Sequence, residues 1–161
     1  MLTVATLPAT AGSPNVRTSS PVIHLADNLD EADGLGWCID TVGRGLSNRL
    51  HAHSCKPRGG DVQFRHDMVT GQIVSVPYDT KCAISAGVSE TLGLVDCDPE
   101  SEAQKFTYAA GDQTIHPSSE NGLCLVVGET STSAGPYMSR ALLLAPCAET
   151  DLARKTWIVL P

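Results

Sequence analysis

The sequence is poor in charge, in aromatic residues and in long apolar runs, and each shortage removes a class of protein. Only 18% of residues are charged and 4% aromatic, and 11 Lys and Arg against 18 Asp and Glu leave a formal net charge of -7. Phosphate backbones are gripped by clustered Lys and Arg. Here those residues are scattered, so nucleic acid and other polyanions are not expected partners. A bilayer-spanning helix needs about 20 consecutive apolar residues, whereas the longest apolar run, 141–146, is strand-sized. No transmembrane segment is expected. The cysteines include no CxxC pair, which takes away the spacing of zinc-ribbon and thioredoxin sites. The first residues, 1–11, hold no Lys or Arg and too short an apolar stretch for a complete signal peptide.

What is present points elsewhere. The chain has 161 residues, the length of one domain able to bury its own core. Its 14 Gly and 10 Pro suit many short strands joined by tight turns, with little helix. Six cysteines form an even set that is best explained by disulfides, which persist in an oxidising compartment. A secreted or periplasmic location is therefore expected, with a leader missing from this sequence or export by another route. Residues 1–20 are rich in Thr, Ala, Ser and Pro without periodicity and suggest a flexible N-terminal leader or linker. The domain is expected to span 21–161.

Self-similarity is the strongest signal in the chain. Trp37-Cys38-Ile39-Asp40 is echoed by Lys81-Cys82-Ala83-Ile84 and by Leu123-Cys124-Leu125-Val126. A second cysteine closes another strand in each copy, at Cys55, Cys97 and Cys147, and a large aromatic follows: Phe64, Phe106 and Trp157. Val22 to Ala26 supplies a first strand for copy one, and Gly71-Gln72-Ile73 and Gln113-Thr114-Ile115 follow the first two aromatics. The copies run over about 21–77, 78–119 and 120–161. Six cysteines allow 15 pairings, of which the within-copy scheme Cys38–Cys55, Cys82–Cys97 and Cys124–Cys147 is the simplest. Each bridge would be worth on the order of 3 kcal/mol in the chain-entropy model.

The C-x-D start, the second cysteine, the Q-x-F element Gln104-Lys105-Phe106 and the G-x-I turn together resemble the unit of the ricin-type lectins. The resemblance covers 21–161. It implies an all-β fold, a β-trefoil of three pseudo-repeats with one disulfide per repeat and the large aromatics in a shared core. The glutamine is in frame only in copy two; copy one has Val62-Gln63-Phe64 and copy three Lys155-Thr156-Trp157.

The resemblance also implies a function, carbohydrate binding, and a site. A sugar is held by an aromatic face under its C–H side and by planar polar groups on its hydroxyls. In this family the acid of the C-x-D start accepts hydroxyls, the aromatic two places before the second cysteine is the platform, and an Asn or Asp near Q-x-W assists. Carried onto copy one, these are Asp40, His53 and Asp61 or Gln63. Strand alternation puts His51 on the face of His53, and the turn holding Arg44 would form the edge. Copy two offers Ile84 and Val95 at the key positions and copy three Val126 and Ala145, so one site is expected, for a glycan of galactose-like type or a glycoprotein or cell-surface partner. A histidine platform further implies binding that changes between neutral and mildly acidic pH.

Plainer readings stand beside these. Asp40 caps turns well, and His53 is a smaller platform than an indole. His51 and His53, with Asp40 or His66, have the chemistry of a metal site, although no cofactor or metal is expected. No nucleophile elbow or glycosidase carboxylate pair is recognisable, so the chain is not expected to be an enzyme. The rival function is a protein-interaction trefoil, an inhibitor or toxin-assembly subunit, whose sugar sites have all decayed.

Overall fold

A computed structural model describes residues 12–161; the first part of the expected leader, 1–11, lies outside the described residues. The first unit comprises β1 (Val22–Leu25), β2 (Trp37–Thr41), β3 (Leu50–Ser54) and β4 (Phe64–His66). The second comprises β5 (Ile73–Ser75), β6 (Lys81–Ile84), β7 (Gly93–Asp96) and β8 (Phe106–Ala109). The third has β9 (Thr114–Pro117) and β10 (Leu123–Val127), an extra hairpin of β11 (Thr132–Ala134) and β12 (Tyr137–Arg140), then β13 (Leu142–Pro146) and β14 (Trp157–Leu160). One turn of α-helix, α1 (Leu152–Lys155), precedes β14.

Each unit folds its two inner strands into an antiparallel pair, β2 with β3, β6 with β7 and β10 with β13. The outer strands join neighbouring units: β4 pairs with β5, β8 with β9, and β14 closes the ring on β1 from Val22↔Leu160 to Leu25↔Trp157. This is the expected β-trefoil. Grouped four strands to a unit, Ile73 opens β5, and the first and second units meet through the β4–β5 pair and the second and third through β8–β9.

Period-2 alternation builds the core. Leu50 and Ala52 of β3, Leu92 and Leu94 of the second unit, and Leu142 and Leu144 of β13 all turn into a single apolar cluster. Phe64, Phe106 and Trp157 occupy the same place at the start of the fourth strand of each unit, each at most 1% exposed. Burying a side chain of this size contributes about 1.5–3 kcal/mol. The three aromatics enter through one contiguous cluster, so each unit completes its core only with the other two.

The three disulfides are the within-copy set, Cys38–Cys55, Cys82–Cys97 and Cys124–Cys147, with Cα separations of 5.0, 4.9 and 5.0 Å. Register explains the shared geometry. The first cysteine of each unit sits opposite the residue two before the second: Cys38↔His53, Cys82↔Val95 and Cys124↔Ala145. Gln104, the in-frame glutamine, is a buried fold pin. It donates to the Asp96 carbonyl at 3.0 Å and accepts from the Asp98 amide at 2.9 Å and from Gln72 at 2.9 Å.

Within the expected leader, residues 12–20 run as a strap along the first unit. The Asn15 amide donates to the Gly34 carbonyl (2.7 Å), Thr18 Oγ1 donates to the Lys56 carbonyl (2.8 Å), and Val16 packs on Cys38, Cys55, Val22 and Val62. Gly36, at φ +81°, lets this strap close in, since a Cβ there would lie 2.8 Å from Pro14. The segment lacks periodicity because it covers the first disulfide without joining a sheet.

Candidate functional site

Asp40 lies on β2 directly opposite His51 on β3, and Cys38 opposite His53. Alternation turns Ile39, Leu50 and Ala52 into the core and Asp40, His51 and His53 to the other face. The result is a compact polar cluster: His51 Nε2 lies 3.6 Å, His53 Nδ1 3.7 Å and Lys56 Nζ 3.1 Å from Asp40 Oδ2. Lys56 Nζ also reaches Asp61 Oδ1 at 2.8 Å, so one ammonium bridges the two carboxylates that the lectin resemblance assigns to a sugar. Of the six expected binding residues, Asp40, His51, His53 and Asp61 meet here.

Arg44 and Gln63 do not. Arg44 is exposed on the β2–β3 turn, and no ion pair involves it among the described residues. Gln63 works in the strap, accepting from the Gly60 amide (3.0 Å) and donating to the Ser19 carbonyl (2.9 Å).

The cluster is more enclosed than an open lectin site would be. Asp40 is 1% exposed and His53 6%, whereas His51, Lys56 and Asp61 form the rim with side chains 17%, 22% and 19% exposed. The cover comes from the third unit. β12 adds to the free edge of β3, with Ser139↔His53 and Arg140↔Ala52, and sets the Tyr137 ring edge-to-face on His53 at a centroid distance of 5.5 Å. His53, expected as the platform, thus has its ring packed under Tyr137.

Charge is distributed accordingly. Burial pushes the Asp40 carboxyl up, but His51, Lys56 and His53 together hold it below its ordinary value. Burial pulls Lys56 down, yet Asp61 and Asp40 more than offset this and raise it. Burial also lowers His53 despite the Ser54 carbonyl and Asp40. Neutral His53 donates from Nδ1 to the Ser54 carbonyl at 2.9 Å, which leaves Nε2 as an acceptor. Asp40 Oδ1 has no hydrogen-bond partner among the described residues, and Oδ2 is met by the ion pairs alone, the shortest at 3.1 Å from Lys56. A buried carboxylate in that state is costly unless donors are supplied.

Sequence reasoning missed Lys56 and Tyr137. Lys56 follows Cys55 directly and carries no motif. The hairpin did leave a trace: the third pair of cysteines is 23 residues apart, against 17 and 15 in the other units. The equivalents of Asp40 and His53 in the other units are apolar, so no second polar cluster of this kind forms there. His66, weighed as a metal ligand, is turned to the Phe106 carbonyl at 2.8 Å. A separate grouping of His116 with Cys124 and Cys147 has metal-ligand atom types, but both sulfurs are spent in a disulfide.

The fold places the chain among the β-trefoils, and solved structures agree on that shape. The β-trefoil lectin of the Vibrio vulnificus hemolysin/cytolysin, solved with N-acetyl-D-lactosamine bound, matches with a TM-score of 0.59 at 15% identity, over 87% of this chain and 93% of that one. Cytolethal distending toxin from Actinobacillus actinomycetemcomitans matches with a TM-score of 0.60 at 17% identity, over 88% and 91%. GalNAc-T7, solved with UDP, GalNAc and Mn2+, matches with a TM-score of 0.58 at 17% identity over 77% of this chain, which spans 20% of that larger one. No protein-family model and no curated protein matches the sequence.

Proposed function

We propose that the protein is a carbohydrate-binding β-trefoil module, without catalytic activity, whose single site is the Asp40 cluster of the first unit. The observation that carries this reading is the Asp40 carboxylate itself. It is buried and kept ionised by its neighbours, and its Oδ1 has no hydrogen-bond partner among the described residues while Oδ2 is met by the ion pairs alone, the shortest at 3.1 Å from Lys56. Paired sugar hydroxyls are donors of the right kind and spacing for a carboxylate. Lys56 Nζ, seated between Asp40 and Asp61 at the rim, adds a donor for a sugar oxygen beside them. Galactose-like glycans fit the lectin resemblance, and the three disulfides support a secreted or periplasmic setting.

The test is binding of the full chain to an immobilised panel of galactose-, N-acetylgalactosamine- and N-acetyl-D-lactosamine-terminated glycans. The expected result is binding that free sugar competes away and that the Asp40→Ala, His53→Ala double variant loses. Unchanged binding by a folded double variant overturns the site.

One observation favours a second reading, a protein-docking trefoil. Met68 and Val69, at the β4–β5 turn, are 90% and 95% exposed and edge a largely apolar hollow of about 750 Å³ that also takes in Tyr108, Val159 and Pro161. Capture of a protein partner that excess free sugar does not displace, and that Met68→Ser abolishes, would establish this reading instead.

A further inference from the structure

The inserted hairpin lies over the one unit that carries an acid at the C-x-D position. Between their inner strands the first and second units have only loops, 42–49 and 85–92, whereas the third has β11 and β12. The hairpin does not fold back on its own unit. It adds to the edge of β3, and its tip, Gly135-Pro136, delivers Tyr137 to the rim of the Asp40 cluster.

Its anchorage is heavy for a surface hairpin. Arg140 is 7% exposed, with its guanidinium 5.1 Å over the Trp37 ring, donating to Asp30 Oδ1 at 2.6 Å and to the Gly128 carbonyl at 2.5 Å. Ser131 donates to the other oxygen of Asp30. The Met138 amide donates to Ser54 Oγ at 3.0 Å, and Ser54 donates to the buried Glu31. The residue next to Tyr137 is therefore tied through β3 to the loop before β2, so the ring is positioned in advance of any ligand.

We propose that Tyr137 is the aromatic platform of the sugar site, which makes that site composite: acid and base groups from the first unit, ring from the third. This rests on the carbohydrate-binding reading above and deepens it. A pyranose has an apolar C–H side that packs on an aromatic face. His53 stands where a platform would be expected within the unit, but its ring is buried and committed to Ser54 and to Tyr137. Tyr137 is the more exposed ring of the pair, and its hydroxyl has no hydrogen-bond partner among the described residues. The ligand class is a neutral pyranose with a hydroxyl pair toward Asp40, Lys56 and Asp61 and its C–H side toward Tyr137.

The experiment compares Tyr137→Phe, Tyr137→Leu and Tyr137→Ala with Asp40→Asn and Asp61→Asn in the full chain. Affinities are measured on the same glycan panel, and near-ultraviolet circular dichroism certifies each fold. Tyr137→Leu separates a platform from mere cover, because it still shields His53 but has no flat ring. The expected result is binding within about threefold of the parent for Tyr137→Phe and a loss of about tenfold for the Leu and Ala variants, while Asp40→Asn abolishes binding. Asp61→Asn, at a half-buried position, serves if Asp40→Asn does not fold. Full affinity in the Leu and Ala variants with loss in the Asp variants overturns the platform and leaves the site standing. A folded parent that binds nothing on the panel, or Asp variants that bind as the parent does, overturns the site and the platform together.

Discussion

Replacing Lys56 by Met isolates the electrostatic logic of the Asp40 cluster. Met keeps most of the stem but removes the ammonium 3.1 Å from a carboxylate that is 1% exposed. Breaking a buried ion pair from one side costs about 3–5 kcal/mol. The lower end applies here, because Lys56 keeps 22% of its side chain in water and two imidazoles remain within 3.7 Å of Asp40. A loss of about 3 kcal/mol at pH 7, with a urea slope of about 2 kcal/mol/M, lowers the midpoint by about 1.5 M. The buried Trp37 and Trp157 report the transition by fluorescence with the disulfides intact.

The sign of the pH dependence adds a second check. In the parent, Asp40 is held below its ordinary value, so its contribution is complete above the unfolded-state value of 3.8 and is lost as pH falls through the folded one. Without Lys56, burial is opposed only by the histidines, and the carboxyl moves up. A raised carboxyl penalises the folded state at neutral pH and is relieved by protonation, so the gap between variant and parent should narrow from pH 7 to pH 5. Adding Asp40→Asn to Lys56→Met should recover most of the loss, since the orphaned charge is gone. A variant within about 0.5 kcal/mol of the parent at pH 7, or a gap that widens on acidification, would refute the reasoning.

Two further outcomes are expected. Burial lowers both His24 and His53, so the stability they lend as neutral rings is complete above about 6.5 and drains as pH falls through the unfolded and then the folded values. Thermal midpoints should drop between pH 7.5 and 5, and His24→Gln should flatten that slope; an unchanged slope would remove His24 from the account. Gly71 has φ +79°, and a Cβ there would sit 3.3 Å from the Phe106 carbonyl oxygen, which follows an amide already bonded to the Gly71 carbonyl at 2.8 Å. Gly71→Ala should therefore cost about 1–2 kcal/mol in urea denaturation, and a neutral result would show that the turn relaxes.

The trefoil was legible because its signals repeat. Cys38, Cys82 and Cys124 each stand second in an inner strand, their partners follow at similar spacings, and Phe64, Phe106 and Trp157 mark the same core position three times. Repetition also made the disulfide scheme readable, since in-register inner strands bring each pair within bonding distance. The strap over 12–20 had no such help. Its contacts are an irregular backbone bond, the buried Thr18 hydroxyl and the half-buried Val16, which leave no period in the sequence. Gln63, expected beside Asp61 as an alternative assisting group, ties that strap down through Ser19.

The candidate site divides the same way. His51 and His53 were legible as one face, because alternation along a strand dictates which side chains share a side, and Asp40 joined them through the lectin resemblance. Lys56 and Asp61 lie beyond the strand, where no period applies, and only folding brings the ammonium between the two carboxylates. Tyr137 is about 80 residues from the cluster and reaches it because β12 adds to the edge of β3. Local patterning thus determined the shape of each unit and the polar face of the first. Which unit covers which face depends on strand edges meeting across the ring, and that is decided only when the three units close on one another.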